Sequence, residues 1–217
     1  MLTNCCPAAA TLPTIPAEGC AQNFGQVQKI IFQRLYNGAV RNSITGVTTG
    51  AATAGDATLL ASWVALKTAA DDTKIAVSPF IESPADDGGD ARTYGGGNET
   101  LNGMEIVIGG NPVNFTCRLN GKVQGIINAL KALQCEALAG NLGVYLINEN
   151  GQIEGQVIAT TSTTKTWAPI PVRRLFVGDK HHGNFDGPDY NELSFAFVPG
   201  YSDNLDILTL DASALSL

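Results

Sequence analysis

Short segments in which apolar and polar residues alternate run through most of the chain, and this period of two is typical of strands with one buried face. The clearest example is residues 113–119, and residues 193–197 repeat the pattern with two phenylalanines. Residues 26–36 place apolar side chains on both faces, which predicts a strand partly buried on two sides. Further strands are predicted at residues 74–81, 104–108, 143–147, 152–160, 172–177 and 205–210.

Two segments follow the period of a helix instead. Residues 57–69 carry apolar residues at helical spacing, and Asp56 stands where an N-cap is expected. Residues 122–138 form the longer predicted helix, which Gly140 ends. Its apolar stripe consists of Val123, Ile126, Ile127, Leu130, Ala137 and Leu138, with Leu133 near the edge.

The connections between these elements are rich in glycine and other turn residues. Residues 37–55 and 179–192 are predicted loops, and residues 82–103 form a loop of about 20 residues, which is long for a compact domain. Such loops are usually functional or disordered, and the glycines of this one indicate a flexible excursion that a neighbouring subunit could order. Gly109-Gly110-Asn111-Pro112 and Asn150-Gly151 are each predicted to be the turn of a hairpin.

The order of elements predicts a mainly β (α+β) protein of seven to nine strands and two helices. Because several strands follow one another through short turns, we expect an antiparallel β-sandwich or partial barrel with the long helix on its flank. Residues 24–217 form a single domain in this interpretation. Residues 1–23 contain three prolines and are predicted to be an extended N-terminal arm, which either docks on a neighbouring subunit or stays a disordered tail.

Charge and composition narrow the classes of partner. Charged residues make up only 15% of the chain, against about 25% in ordinary soluble domains, and such a surface suits a chain that other chains cover. The net charge of −7 and the pI of about 4.7 argue against stable nucleic-acid binding, which needs a basic patch. No apolar run reaches ~18 residues, so no membrane-spanning helix is predicted.

The five cysteines do not follow a recognised spacing. Cys117 and Cys135 fall within apolar patterns and are predicted to be small buried thiols. Cys5, Cys6 and Cys20 leave a disulfide or a metal site open, although no histidine lies near them. Reduced structural thiols, as in a bacterial cytosol, are the favoured interpretation.

No catalytic, cofactor-binding or metal site is predicted, and we expect the chain not to be an enzyme. His181-His182 is interpreted as a surface loop or a subunit contact, because adjacent histidines of a strand point in opposite directions. Two acidic groups offer oxygen ligands for Ca²⁺ but lack the EF-hand spacing. They are Asp86, Asp87 and Asp90, and Asp186 and Asp189.

Two further motifs have structural interpretations. Gly95-Gly96-Gly97 lacks the lysine and the following helix of a phosphate-binding loop. Trp63 and Trp167 are predicted to be packing anchors rather than a platform for sugars.

Five segments, taken in order, carry a resemblance to a known family. They are residues 24–34 (Phe-Gly-Gln-Val-Gln-Lys-Ile-Ile-Phe-Gln-Arg), residues 63–82 with Asp-Thr-Lys and Ser-Pro-Phe-Ile-Glu, residues 92–100 (Arg-Thr-Tyr-Gly-Gly-Gly-Asn-Glu-Thr), residues 176–180 (Phe-Val-Gly-Asp-Lys) and residues 201–205 (Tyr-Ser-Asp-Asn-Leu). Over residues 20–210 the chain resembles structural virion proteins of tailed bacteriophages of Bacteroidetes-type hosts, in particular their major tail (tail tube) proteins. The resemblance rests on the overall pattern rather than on one invariant signature.

The resemblance implies a β-sandwich with a flanking helix that assembles as hexameric rings stacked around a DNA channel. It implies further copies of the chain as the main partners, then other tail proteins such as sheath, terminator or baseplate components. Genomic DNA would pass through without specific binding, in the tail of a virion assembled in the bacterial host cytoplasm. Under this hypothesis residues 82–103 and the arm carry contacts between subunits.

Other classes remain open from the residues alone. The first alternative is a capsid decoration or head–tail connector protein, which shares a sandwich fold and a lack of catalytic residues. A carbohydrate-binding or host-adhesion module would need aromatic residues exposed on one face, and aromatic residues are only 7% of the chain. An enzyme is disfavoured because no acid/base set is present.

Overall fold

The computed structural model of the chain describes residues 23–98, 103–183 and 187–217. This part of the protein is mainly β, with 46% strand and 16% helix. The strands are β1 (Val27–Arg34), β2 (Tyr36–Asn37), β3 (Val40–Arg41), β4 (Ile44–Val47), β5 (Ile75–Val77), β6 (Glu82–Gly88), β7 (Ala91–Gly95), β8 (Glu105–Gly110), β9 (Val113–Asn120), β10 (Leu142–Asn148), β11 (Ile153–Thr160), β12 (Thr164–Ala168), β13 (Ile170–Val177), β14 (Tyr190–Phe197) and β15 (Leu205–Leu208). The helices are α1 (Leu60–Thr68), α2 (Gln124–Ala132) and α3 (Gln134–Leu138).

Eleven of the strands form one sheet in the order β4-β12-β11-β10-β13-β14-β9-β6. β1 also pairs with β10, β5 pairs with β1, and β15 pairs with β11. Every pairing described is antiparallel. The remaining strands form two separate two-stranded pairs, β2–β3 and β7–β8. The antiparallel, mainly β fold predicted from the sequence is therefore confirmed.

Two hydrophobic cores lie on opposite faces of β1 and β10. Every residue of β10 is buried, and successive residues enter the two cores in turn. Val144 and Leu146 belong to the first core, whereas Tyr145 and Ile147 belong to the second. The long pairing with β1 aligns the faces, since Ile31 lies opposite Tyr145. The prediction that the first strand is buried on both sides is confirmed.

The first core lies between this pair and the strands β9, β13 and β14, with α2 and α3 packed against it. Phe115 and Phe195 stack there with ring centroids 4.9 Å apart. The second core lies under α1 and the C-terminal residues. In it Trp63 meets the edge of Tyr145 at 5.1 Å and donates its indole N–H to the Ala57 carbonyl at 2.9 Å.

The long predicted helix is two helices. The chain tightens at Leu133, whose N–H bonds to the carbonyl of Leu130, three residues back. This tighter turn rotates the apolar stripe, because a helix buries one face only while its period is kept. Leu138, which follows this turn, is accordingly 91% exposed. Val123, another predicted member of the stripe, is 66% exposed because it is the N-cap residue of α2 and has extended backbone.

Asp56 does not cap α1. The N-cap residue is Leu59, and the N–H of Leu60 donates instead to Oδ1 of Asp211 at 2.8 Å. The Asp56 carboxylate accepts hydrogen bonds from the backbone N–H groups of Val47 at 2.9 Å and Thr58 at 2.8 Å. It therefore fixes the segment before the helix onto β4.

The sequence prediction also missed short strands. The segment 37–55, predicted to be a loop, contains β3 and β4 and the end of β2, and β4 pairs with β12. These strands have two to four residues, too few for an alternating pattern to stand out. The predicted arm at residues 1–23 lies outside the described residues except for its last position.

The two described cysteines differ. Cys117 is buried in the first core, as predicted, and burial raises the pKa of its thiol to about 12, with Glu192 adding to the effect. Cys135 is exposed, so its prediction as a buried thiol is wrong. It lies on α3, just after the tight turn that shifts the apolar stripe.

Candidate interaction surface

The strands β6 to β9 form one long hairpin. Gly88 lies opposite Val113 at the end of β6–β9, and Ala91 lies opposite Gly110 at the start of β7–β8. Between these pairs, a backbone N–H of one arm donates to a backbone carbonyl of the other at 2.8 Å. The outer half of this hairpin, β7 and β8 (residues 91–95 and 105–110), is called the ribbon below.

Two predictions for this hairpin are wrong, whereas the predicted strands at residues 104–108 and 113–119 correspond to β8 and β9. Residues 82–103 are not a loop, because they contain β6 and β7. Gly109-Gly110-Asn111-Pro112 is not a turn between β8 and β9, because β8 pairs with β7 and β9 pairs with β6. These residues face a second glycine-rich segment across the hairpin, and the two arms bend together there.

The bend explains the glycine at position 88. Gly88 has a φ of +99°, a left-handed conformation that a side chain strains. A Cβ at this position would lie 2.7 Å from the carbonyl oxygen of Pro112 on the facing arm. Gly89 follows with a φ of +87°. Taken alone, each glycine pair resembles a turn, but across a hairpin the two pairs form a kink at the base of the ribbon.

The ribbon exposes apolar side chains on both faces. Tyr94 lies opposite Ile106, and the next pair places Val107 opposite Thr93. Because successive pairs point to opposite faces, Tyr94 and Ile106 cover one face and Val107 the other. Their exposed fractions are 57%, 56% and 66%, and Met104 beside them is 67% exposed.

No third strand supports this ribbon within the described residues. A two-stranded pair is marginally stable in water unless a hydrophobic face packs on something else. Contiguous exposed apolar side chains of this kind mark an interaction surface in a protein that stays soluble. The ribbon is therefore the candidate interaction surface of the described chain, because a partner would bury its exposed apolar faces.

The ribbon and its base are acidic. The strands β6 to β8 and their connections carry five described carboxylates against one arginine, Arg92. The carboxylates are those of Glu82, Asp86, Asp87, Asp90 and Glu105. Among the described residues none of them meets a lysine or arginine within 4 Å. A partner surface that carries cations would complement them.

Three titratable groups meet at the root of the hairpin. Asp86 lies opposite Phe115 and Glu154 lies opposite Leu146, so both carboxylates point to the face of the first core. Tyr201 stacks on Phe197 at 4.2 Å beside them. Burial, and then the nearby Asp86, raises the pKa of Glu154 to about 7, and burial also raises the pKa of Asp86 and Tyr201.

The predicted histidine pair lies near the other end of β14. The ring of His181 stacks on Tyr190 at 4.9 Å, and the two residues form an isolated β-bridge. Close by, Lys180 forms an ion pair with Asp189. No group of three or more histidine, cysteine, aspartate or glutamate side chains suited to a metal ion occurs in the described residues. Asp186 lies outside them.

The remaining candidates have structural roles. Trp63 and Trp167 are buried in the second core, which confirms them as packing anchors. Gly95 ends β7, and Gly96 and Gly97 follow it with positive φ at the outer end of the ribbon. No helix in the described ranges is long and apolar enough to cross a bilayer.

Sequence reasoning missed the ribbon, although a signal for it exists. The apolar residues Tyr94, Ile106 and Val107 flank a glycine-rich centre at nearly equal distances, and two glycine pairs are placed symmetrically further out. Such mirror symmetry indicates a long hairpin. A scan of protein-family models, a search of curated proteins and a search of solved structures each found no match to this chain, so the surface stands on its own geometry.

Proposed function

We propose that this chain is a structural virion protein that polymerises as stacked rings, forming the tail tube through which a tailed bacteriophage ejects its DNA. The observation that carries the proposal is the ribbon, which exposes apolar side chains on both faces and has no support within the described chain. The resemblance of residues 20–210 to major tail proteins gives the assembly its identity.

In this proposal, self-association covers the exposed apolar side chains of the ribbon. A ribbon on one copy and a receiving surface elsewhere on the next form a head-to-tail contact, which closes into rings or continues as a filament. Rings also cover strand edges, which otherwise promote aggregation. A tube needs both kinds of contact, within a ring and between rings, and hexameric rings are what the resemblance implies.

The charge of the chain fits a conduit. A subunit with a net charge of −7 gives a wall that repels phosphates rather than holding them. Each lysine–phosphate contact would add salt-dependent affinity and slow a passing polyanion. In this proposal DNA passes without specific binding, and the ends of the tube meet other tail proteins such as sheath, terminator or baseplate components.

The first experiment shortens the ribbon. Residues 91–110 are replaced by an Asn-Gly turn, which joins the arms just after the last backbone bond of their inner halves. We expect a folded chain with an unchanged near-UV circular dichroism spectrum. We also expect it to remain monomeric in sedimentation velocity runs at concentrations where the full chain forms tubes of constant diameter in negative-stain images.

Point variants provide a matched control. Ile106→Ser with Val107→Ser removes apolar surface from the ribbon and should weaken assembly at least tenfold. Val40→Ser does the same on β3, where Val40 is 71% exposed, and should leave assembly unchanged. Tubes of normal diameter from the shortened chain would refute the role of the ribbon. Discrete particles or single rings from the full chain would favour a capsid decoration or head–tail connector protein.

A further inference from the structure

A groove of about 450 Å³ lies between the end of α3 and the middle of β13. Leu138 lines one side and Phe176 the other, with exposed fractions of 91% and 60%. Two neighbouring cations, Arg173 and Arg174, line the same groove. It therefore combines exposed apolar side chains with positive charge, on a chain whose net charge is negative.

A bulge in β13 creates this arrangement. The pairing with β14 is irregular between Arg173 and Phe176, and Arg174 adopts a φ of +56°. A regular strand would point successive side chains to opposite faces, but here Arg173 and Arg174 are both exposed. A left-handed conformation costs a residue other than glycine about 1–3 kcal/mol. The fold thus maintains a strained residue that keeps two cations on the surface.

The two arginines have no acidic partner in the described part of the chain. Neither lies within 4 Å of a carboxylate, and Arg174 donates a hydrogen bond only to the neutral Oδ1 of Asn114, at 3.0 Å. The base of the ribbon has the opposite charge, since the unpaired carboxylates of Asp87 and Asp90 come just before the exposed apolar side chains of the ribbon. The two surfaces complement each other in charge and in apolar character.

The register places the base of the ribbon at the same end of the sheet as the arginines. Arg173 lies opposite Ala196, which in turn lies opposite Asn114, near the start of β9. The ribbon continues the hairpin beyond this row, so it leaves the sheet at the end where the arginines lie. A neighbouring copy placed beyond that end can present its groove to the ribbon.

We propose that the groove formed by Leu138, Arg173, Arg174 and Phe176 receives the ribbon of a second copy of this chain. The proposal rests on the proposed function, in which the ribbon drives self-association, and it adds the surface that the ribbon contacts. It makes the contact heterologous, so every copy offers one ribbon and one groove.

Charge reversal tests the contact in the full chain. Arg173→Glu with Arg174→Glu should raise the concentration of half-assembly about 10–100-fold, because it sets like charges against the ribbon. Lys74→Glu with Lys122→Glu makes the same change of net charge at two sites outside the groove and should have little effect. Adding Asp87→Lys and Asp90→Lys to the reversed groove should restore assembly, since each copy then carries exchanged charges. Circular dichroism verifies that every variant is folded.

The other outcomes separate the two proposals. If the reversed groove assembles normally while the shortened ribbon does not, the ribbon drives assembly at another surface and the groove proposal is wrong. If the variant with exchanged charges is folded but still does not assemble, a different segment fills the groove. Loss of assembly on removal of residues 1–22, with the shortened ribbon still assembling, would assign that role to the N-terminal segment. A full chain that stays monomeric at every concentration overturns both proposals.

Discussion

The β1–β10 pair and the ribbon are both antiparallel pairs with apolar side chains on two faces, but their surroundings are opposite. Ile31 of β1 is 0% exposed, whereas Ile106 of the ribbon is 56% exposed. The first pair has β5, β11 and β13 beside it and a core on each face. The ribbon has no strand beside it within the described residues.

The difference is in the origin of the atoms that cover the apolar side chains: they belong to the same chain in the β1–β10 pair, and they must come from a partner in the ribbon. Burial of an apolar side chain contributes about 1.5–3 kcal/mol wherever the covering atoms come from. In the β1–β10 pair the covering atoms belong to the same chain, so the contribution appears as folding stability. In the ribbon it is realised only on association, and it appears as the affinity of one copy for another.

The largest effect is expected from the same substitution made in both regions. Ile31→Ala should lower the free energy of unfolding by about 2–5 kcal/mol, because it leaves a cavity in the second core. Ile106→Ala should change it by less than about 0.5 kcal/mol, because the side chain is largely solvated in the single chain. Urea titrations at concentrations too low for association measure both values.

For assembly, we expect Ile106→Ala to have a larger effect than Ile31→Ala. Ile106→Ala should raise the concentration of half-assembly, measured by light scattering, while Ile31→Ala should leave it nearly unchanged wherever the chain remains folded. A loss of more than about 1.5 kcal/mol of stability from Ile106→Ala would contradict the comparison. That result would mean that the ribbon packs against its own chain.

The sequence predicts the strands β1 and β10 well, although not their pairing, and it misses the ribbon, for one physical reason. Within these strands, residues 30–32 and 144–147 are unbroken apolar runs, and burial on two faces is the environment that such runs need. The Asn150-Gly151 turn after β10 is confirmed too, with Gly151 at a φ of +74°. In these segments the apolar pattern of the sequence matches the burial of the side chains in the structure.

In the ribbon, the local sequence pattern predicts turns where the structure has a hairpin that continues past them. Gly88 lies opposite Val113 and Gly110 lies opposite Ala91, so these glycines interrupt a hairpin rather than close one. Pairing between residues about 20 positions apart is not visible to a local pattern. The groove is equally hidden, because the bulge at Arg174 depends on the pairing with β14. Asp211, which accepts the hydrogen bond from the start of α1, is more than 100 residues away in the sequence.

A smaller effect is expected at the kink between the two regions. Gly88→Ala should lower the free energy of unfolding by about 2 kcal/mol, because the new Cβ meets the Pro112 carbonyl and φ is left-handed. Gly110→Ala is the matched control on the facing arm, where a Cβ meets no atom within 4 Å. Limited proteolysis should cleave the ribbon faster only in the Gly88 variant. Equal behaviour of the two variants would show that the kink is not constrained.

The smallest effect is expected where the ribbon base meets the first core, at Glu154. Its pKa is about 7 in the folded chain against an ordinary value of 4.5, because burial and the neighbouring Asp86 disfavour the charge. Between these values the folded chain holds a proton that the unfolded chain has released, so stability falls as the pH rises through this window. Below about pH 4.5 the penalty is absent, and above about pH 7 it is complete.

Glu154→Gln removes this charge and keeps the shape of the side chain. Because Glu154 is only half-buried, solvent screens part of the effect, and we expect the variant to be more stable than the natural chain by about 1–2 kcal/mol at pH 8. At pH 4.5 the two should be nearly equal. Urea titrations of both chains at the two pH values measure the difference. An unchanged gap for Glu154→Gln from pH 4.5 to 8 would mean that the carboxylate is solvated, and that the first core ends before it reaches the base of the ribbon.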